Sequence, residues 1–106
     1  VKDQEKDQEK EQEKERFRQL LESQHAFPGR YTFKVIYRSA EGMSERICEA
    51  ISESTGIEIN ADNLSVRESS SANFLSMTLD IEVQSSQHVL DVYEVLGTME
   101  NIVSWF

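Results

Sequence analysis

The sequence predicts an α+β domain in which a four-stranded antiparallel sheet carries two helices on one face. First, residues 73–83 alternate between apolar and polar side chains, which is the period of a half-buried strand. Second, residues 43–54 and 89–96 place apolar side chains at helical spacing. A strand with one apolar face belongs to a sheet covered on one side only, so we expect both helices on that side.

The length of the chain, 106 residues, allows one domain, which we place at residues 27–106 behind a charged, low-complexity extension at residues 1–26. The formal charge is −9, from 20 acidic and 11 basic residues. Residues 26–106 alone hold five basic and twelve acidic residues, a net charge of −7. A domain this acidic repels phosphate backbones and anionic lipids, so we expect neither nucleic acid nor a membrane as its partner.

The amino-terminal extension begins with a four-residue repeat of lysine, acidic residues and glutamine over residues 2–16. This repeat has no apolar stripe that would dock a helix on the domain, so we expect a frayed helix or disorder that adds nothing to the core. The first apolar side chains at helical spacing are Phe17, Leu20 and Leu21. One short helix here is able to pack against the domain.

The first half of the domain reads as turn, strand and helix. Phe27, Pro28 and Gly29 favour a turn, after which ordered structure is expected to begin. Residues 31–37 form the first predicted strand, and its core face carries Tyr31, Phe33, Val35 and Tyr37. A helix is predicted from Met43 to about Ser54, and Gly56 is placed to cap its carboxyl end.

The second half reads as hairpin, helix and strand. Residues 64–67 and 73–83 pair as a hairpin, and Ser85 or Ser86 supplies an N-cap for a helix that we expect to stop at Gly97. Residues 102–106 form the closing strand. The predicted order is the ferredoxin-like βαββαβ arrangement, in which the first and third strands lie side by side in the centre of the sheet.

Short segments spread over the domain resemble the YbeD-like family of bacterial proteins. The segments that carry the resemblance are Phe27-Pro28, residues 31–35, residues 66–70, Asn73-Phe74, Ser76, Thr78, Tyr93-Glu94 and Leu96-Gly97. The resemblance implies a cytoplasmic bacterial protein whose fold is similar to ACT regulatory domains, with no established catalytic residues. It leaves the charged extension outside.

The loop at residues 38–43 departs from the family pattern, because it is longer and more polar than that pattern implies. ACT domains often place a glycine here, where backbone amides contact an amino-acid effector. Gly42 followed by Met43 is able to imitate that contact. The alternative is that Gly42 is only a loop residue before a helix.

Residue types that support catalysis or metal binding are sparse. His88 and Asp91 are one helical turn apart, but a metal site needs three or four ligands, so we predict no metal and no cofactor. Cys48 has no partner cysteine, which fits a buried thiol in a reducing cytoplasm. Arg38 and Asn73 match two requirements of an acyl-phosphate hydrolase, but the glycine-rich phosphate loop is missing, and we predict no enzyme.

The sheet face turned away from the helices, called the open face, is the candidate binding surface. Its predicted residues are Lys34, Ile36, Phe74, Ser76 and Thr78, joined by Ser104 and Phe106. A mixture of apolar and hydroxyl side chains there indicates either a dimer seam or a ligand floor. The neighbouring turn adds Ser69, Ser70 and Asn73 as donors to a ligand, with ordinary hairpin chemistry as the alternative.

These features favour a non-enzymatic, ACT-like regulatory domain that binds a small molecule and forms a homodimer in the bacterial cytoplasm. Small size favours the dimer, since a short domain buries little surface by itself. The alternative is an adaptor that binds another protein through the open face or an edge strand. The candidate site therefore consists of the open-face residues, the turn and Gly42.

Overall fold

The computed structural model describes residues 2–69, 71 and 73–106, with side chains described from residue 8 onward. The elements in chain order are α1 (Lys2–Gln24), β1 (Gly29–Arg38), α2 (Met43–Thr55), a 3-10 turn (Ala61–Asn63), β2 (Leu64–Glu68), β3 (Phe74–Val83), α3 (Ser86–Thr98) and β4 (Ile102–Trp105). No helix in this part of the chain combines the length and the apolar character that crossing a membrane requires.

The four strands form one antiparallel sheet in the order β2-β3-β1-β4. The prediction that the first and third strands are central neighbours is therefore confirmed. Their register places Lys34 opposite Thr78 and Ile36 opposite Ser76. On the other side of β1, Ile36 lies opposite Ser104, and Val103 is an extra residue at a bulge in β4.

The core lies between the sheet and the helices α2 and α3. Alternation along β1 and β3 directs one side chain in two to this face. The sheet contributes Phe33, Val35, Tyr37, Met77, Leu79, Ile81 and Val83, and the helices contribute Met43, Ile47, Ile51, Val89, Val92 and Leu96. The buried Tyr37 hydroxyl lies 2.7 Å from Ser44 Oγ, so its burial leaves no unpaired polar atom.

The end of helix α1 contacts the core, in agreement with the prediction that a short helix at Phe17, Leu20 and Leu21 is able to pack against the domain. Leu21 is only 4% exposed and belongs to the core cluster, and Phe17 packs against that cluster. Leu20 points to solvent and is 51% exposed. The physical reason is that two apolar side chains in the last turns of a helix are enough to dock that end, whatever the polarity of the preceding repeat. The boundary at residues 26 and 27 stays a prediction.

The carboxyl ends of α2 and α3 differ in the role of glycine. Gly56 caps α2 in the left-handed conformation, as predicted, with φ of 74°. The prediction that helix α3 stops at Gly97 is wrong, because the helix continues to Thr98. A Cβ atom at position 97 would lie 3.4 Å from a ring atom of Trp105. Gly97 therefore permits close packing of α3 on β4 rather than ending the helix.

Candidate functional site

The open face lies on the side of the sheet away from α2 and α3, where the sequence placed it. Lys34, Ile36, Ser76 and Thr78 share this face because the register pairs them across β1 and β3. Ser104 joins them opposite Ile36, and the backbone of Phe106 exchanges two hydrogen bonds with Lys34. The predicted open-face residues are thus neighbours in space.

One end of the open face is concave. A cavity of about 190 Å³ lies there, and we call it the Phe74 cavity. Its lining consists of Ile36, Arg67, Glu68, Ser69, Phe74, Leu75 and Ser76. Four of these residues, Ile36, Ser69, Phe74 and Ser76, come from the predicted site. Lys34 and Thr78 lie next along the same face without lining the cavity.

Phe74 forms the apolar wall of the Phe74 cavity. Its side chain is about one-third exposed, on a sheet face that has no covering layer. The guanidinium carbon of Arg38 lies 6.0 Å from the ring centroid, within the range of a cation–π contact. Arg38 therefore flanks the ring instead of covering the cavity floor.

Arg67 is one of three lining residues, with Glu68 and Leu75, that lie outside the predicted site. It lies on β2 opposite Ser76, so its side chain is on the open face. Alternation along β2 places the Arg67 side chain on the opposite face of the strand from those of Leu64 and Val66. The missing information was the register between β2 and β3, which alone brings Arg67 next to Ile36 and Phe74.

The turn before β3 uses its polar groups within the hairpin. The Phe74 amide donates to Ser69 Oγ at 3.2 Å, and the Ser69 amide donates to the Phe74 carbonyl at 2.8 Å. The Asn73 carbonyl accepts from the Ser39 amide at 2.9 Å. Ser70 lies outside the described residues. Ser69 and Asn73 thus hold the turn that positions Phe74, and Ser69 also lines the cavity.

Gly42 is not among the residues that line the Phe74 cavity. It precedes α2 in the left-handed conformation, with φ of 70°, which disfavours any residue with a Cβ. The amide of the next residue, Met43, already donates to the Ala40 carbonyl at 3.2 Å. Backbone geometry therefore explains the glycine, and the amide after it is engaged within the loop.

Cys48 and His25, two of the side chains considered for chemistry, both pack against other side chains of the fold. Burial, with a smaller contribution from the Glu45 carboxylate, raises the pKa of the Cys48 thiol, which keeps it protonated and weakly nucleophilic. His25 packs edge-on against Tyr31, with ring centroids 5.0 Å apart. The described residues contain no group of three or more His, Cys, Asp or Glu side chains placed to share a metal ion.

Comparison with known proteins identifies relatives for most of the chain. A family model described as "Protein of unknown function (DUF493)" matches residues 22–105, which confirms the resemblance noted from the sequence. A UPF0250 protein of Idiomarina loihiensis is 28% identical over 87 residues, which cover 82% of this chain and 91% of that protein.

A solved structure similar to this fold is the ACT domain from the GTP pyrophosphokinase of Chlorobium tepidum, determined by solution NMR. The TM-score is 0.57 at 13% sequence identity, and the match covers 74% of this chain and 83% of that domain. At this level of identity the likeness shows a common fold alone.

Proposed function

This chain belongs to the DUF493 family of proteins of unknown function, and on that premise we propose that it is a non-enzymatic regulatory domain that binds a small molecule on its open face. The observation that carries the proposal is the Phe74 cavity. Its wall and floor are apolar, at Phe74 and Ile36, and the Ser76 hydroxyl faces the same side. An apolar depression with a few polar groups at its border is the usual composition of a ligand site.

The volume of the cavity limits the size of the ligand. Sites for drug-sized molecules enclose roughly 300–1,000 Å³. The Phe74 cavity, at about 190 Å³, suits a smaller metabolite that leaves part of its surface in water. Such a ligand makes few contacts, so we expect modest affinity and a site that responds to changes in metabolite concentration.

A binding role is favoured over a catalytic one by the side chains at the cavity. The described lining residues include one carboxylate, Glu68, and neither histidine nor cysteine. Acid–base or covalent catalysis needs a base within hydrogen-bond reach of a nucleophile. The fold likeness to an ACT domain adds only an analogy in favour of a regulatory role.

A metabolite panel with two detection methods tests the proposal. A ligand at about ten times its Kd stabilises the folded chain by about 1.4 kcal/mol, which raises Tm by several degrees. In ¹⁵N–¹H correlation spectra, the amides that shift should be those of Ile36, Phe74 and Ser76. Phe74→Ala should abolish the response, whereas Phe106→Ala, which removes an exposed ring on the same face outside the cavity lining, should preserve it. A folded protein that responds to no compound would contradict the proposal.

A second candidate function is protein binding through the edge of the sheet. Strand β4 is an edge strand, and its bulge residue Val103 is 50% exposed. Edge strands pair with extended segments of partners, including the edge of a second copy of the same chain. Sedimentation velocity of the purified protein should then detect a dimer that Val103→Glu dissociates. Leu20→Glu, at a similarly exposed position on α1, is the control that should leave association unchanged. A monomer at all accessible concentrations would exclude the dimer.

A further inference from the structure

We infer that the ligand of the Phe74 cavity is a small organic acid, whose carboxylate is held by the basic side chains of the open face and whose apolar part contacts Phe74. This inference rests on the proposed function and adds the chemical class of the ligand. It follows from how charge is distributed over the two faces of the sheet.

Basic residues are concentrated on the open face of a strongly acidic domain. Residues 26–106 contain five basic side chains, and the register and alternation place four of them on this face. The four are Arg30, Lys34, Arg38 and Arg67. The fifth, Arg46, lies on α2. A surface with this sign of charge attracts anions to a protein that otherwise repels them.

Three of the four cations lie near the cavity, although only Arg67 is among its lining residues. Lys34 and Arg38 flank Ile36 along β1, and Arg67 lies opposite Ser76, which is itself opposite Ile36. Neighbouring strands are about 4.8 Å apart, so the long side chains on β1 and β2 reach the same volume above β3. Among the described residues, none of the three cations is in an ion pair.

The acidic residues of the open face lie away from the cavity. Asp80 lies opposite Thr32 and Glu82 lies opposite Arg30, both toward the other end of the sheet. The Asp80 carboxylate forms an ion pair with Arg30 at 3.3 Å. Glu68 borders the cavity but pairs with Leu75 on β3, and alternation therefore assigns it to the helix-covered face, opposite to Arg67. The cations nearest the cavity are thus left to an external anion.

The arrangement fits a carboxylate attached to an apolar group. An arginine binds a carboxylate with two parallel hydrogen bonds, and Arg67 borders the cavity where such a group would lie. The cavity volume of about 190 Å³ equals roughly the share of six water molecules in the liquid. A short branched or aromatic side chain fills this volume against Phe74 and Ile36, while the carboxylate stays at the basic border.

Matched acids and amides test the inference by NMR titration of the full chain. The probes are 4-methylpentanoate with 4-methylpentanamide, and phenylacetate with phenylacetamide. Each acid should bind about tenfold more tightly than its amide, because a charge-assisted hydrogen bond is about twice as strong as a neutral one. Added salt should weaken the binding of each acid and leave the binding of each amide unchanged.

Charge variants locate the carboxylate. Arg67→Gln should weaken the binding of the acids about tenfold without affecting the binding of the amides, and Arg67→Lys should give an intermediate loss. Arg46→Gln should change the affinity for neither class of compound. Equal affinity for acid and amide, or binding of a neutral or cationic panel compound in preference to both acids, overturns the inference while the proposed function stands. If no compound shifts the amides of the cavity, the proposed function and this inference both fail.

Discussion

At the scale of single residues, the two tyrosines that join α1, β1 and α3 show how burial changes an ionisable group. Tyr31 and Tyr93 place their hydroxyl oxygens 3.2 Å apart, and the Tyr93 ring packs against both Phe17 and Phe33, with centroids 5.9 and 5.6 Å away. Burial, followed by the hydrogen bond with Tyr31, raises the pKa of the Tyr93 phenol well above its ordinary value.

The raised pKa of Tyr93 predicts a loss of stability in alkali. The unfolded chain releases the phenol proton at its ordinary pKa of 10.0, whereas the folded chain retains it. The stabilising contribution is therefore complete below about pH 10 and is lost as the pH rises toward the folded pKa. Between about pH 8 and pH 11 the wild type should lose up to about 1 kcal/mol more of its free energy of unfolding than Tyr93→Phe, a figure reduced because solvent screens a partly exposed group. Urea unfolding at both pH values measures it, and equal losses would contradict the prediction.

At the scale of elements, α1 is divided between a solvated stretch and a docked end. Its last turns hold Leu21 in the core, and the Ser86 hydroxyl at the start of α3 donates to a Glu22 carboxylate oxygen at 2.8 Å. Arg18 reaches Gln87 at 2.7 Å. These contacts join the end of α1 to the amino end of α3, where a carboxylate is also stabilised by the helix dipole.

Two neighbouring leucines on α1 provide a direct test of this docking. Leu21→Ala should lower the free energy of unfolding by about 2–5 kcal/mol, because it opens a cavity in the core. Leu20→Ala removes the same atoms from an exposed site and should cost less than about 0.5 kcal/mol. Urea unfolding of both variants measures the difference. Similar losses for the two would show that this end of α1 is not docked as described.

At the scale of the whole molecule, stability is expected to be concentrated in the centre of the sheet. Strands β1 and β3 pair over their full lengths and carry seven fully or almost fully buried side chains. The early part of α1 is polar and has no apolar stripe. Lys14 joins it to α3 by an ion pair with Glu94 at 3.8 Å, and both side chains of this pair are exposed to solvent. Exposed ion pairs add little to stability.

Amide hydrogen exchange should reveal this gradient. Amides at Val35 and Met77 should exchange only through global unfolding, while those of residues 8–13 should exchange at least about a hundredfold faster through fraying of α1. Native-state exchange followed by NMR measures both sets in one sample. Equal protection in the two sets would mean that the whole of α1 unfolds together with the sheet.

Local pattern was sufficient for most of the architecture. The alternation in residues 73–83 identified β3, and the same rule separated the core and open faces of β1. Gly56 was read correctly because a left-handed cap is a local requirement. Gly97 was misread as a helix end, because the reason for a glycine there is the close packing of the Trp105 ring, which lies on β4 and outside the helix. The spacing of Phe17, Leu20 and Leu21 predicted packing of this segment but not which leucine is buried, since the partners of Leu21 lie on other elements.

The sequence by itself determined the order of elements, the central pairing of β1 with β3, and which side chains of each strand face away from the helices, because alternation and helical spacing are properties of consecutive residues. Only the tertiary structure decided that Arg67 meets Phe74 and Ile36 at one cavity, and that Gly42 stays outside it. The register between β2 and β3 sets these neighbours, and it depends on contacts between strands that no single segment of the sequence encodes.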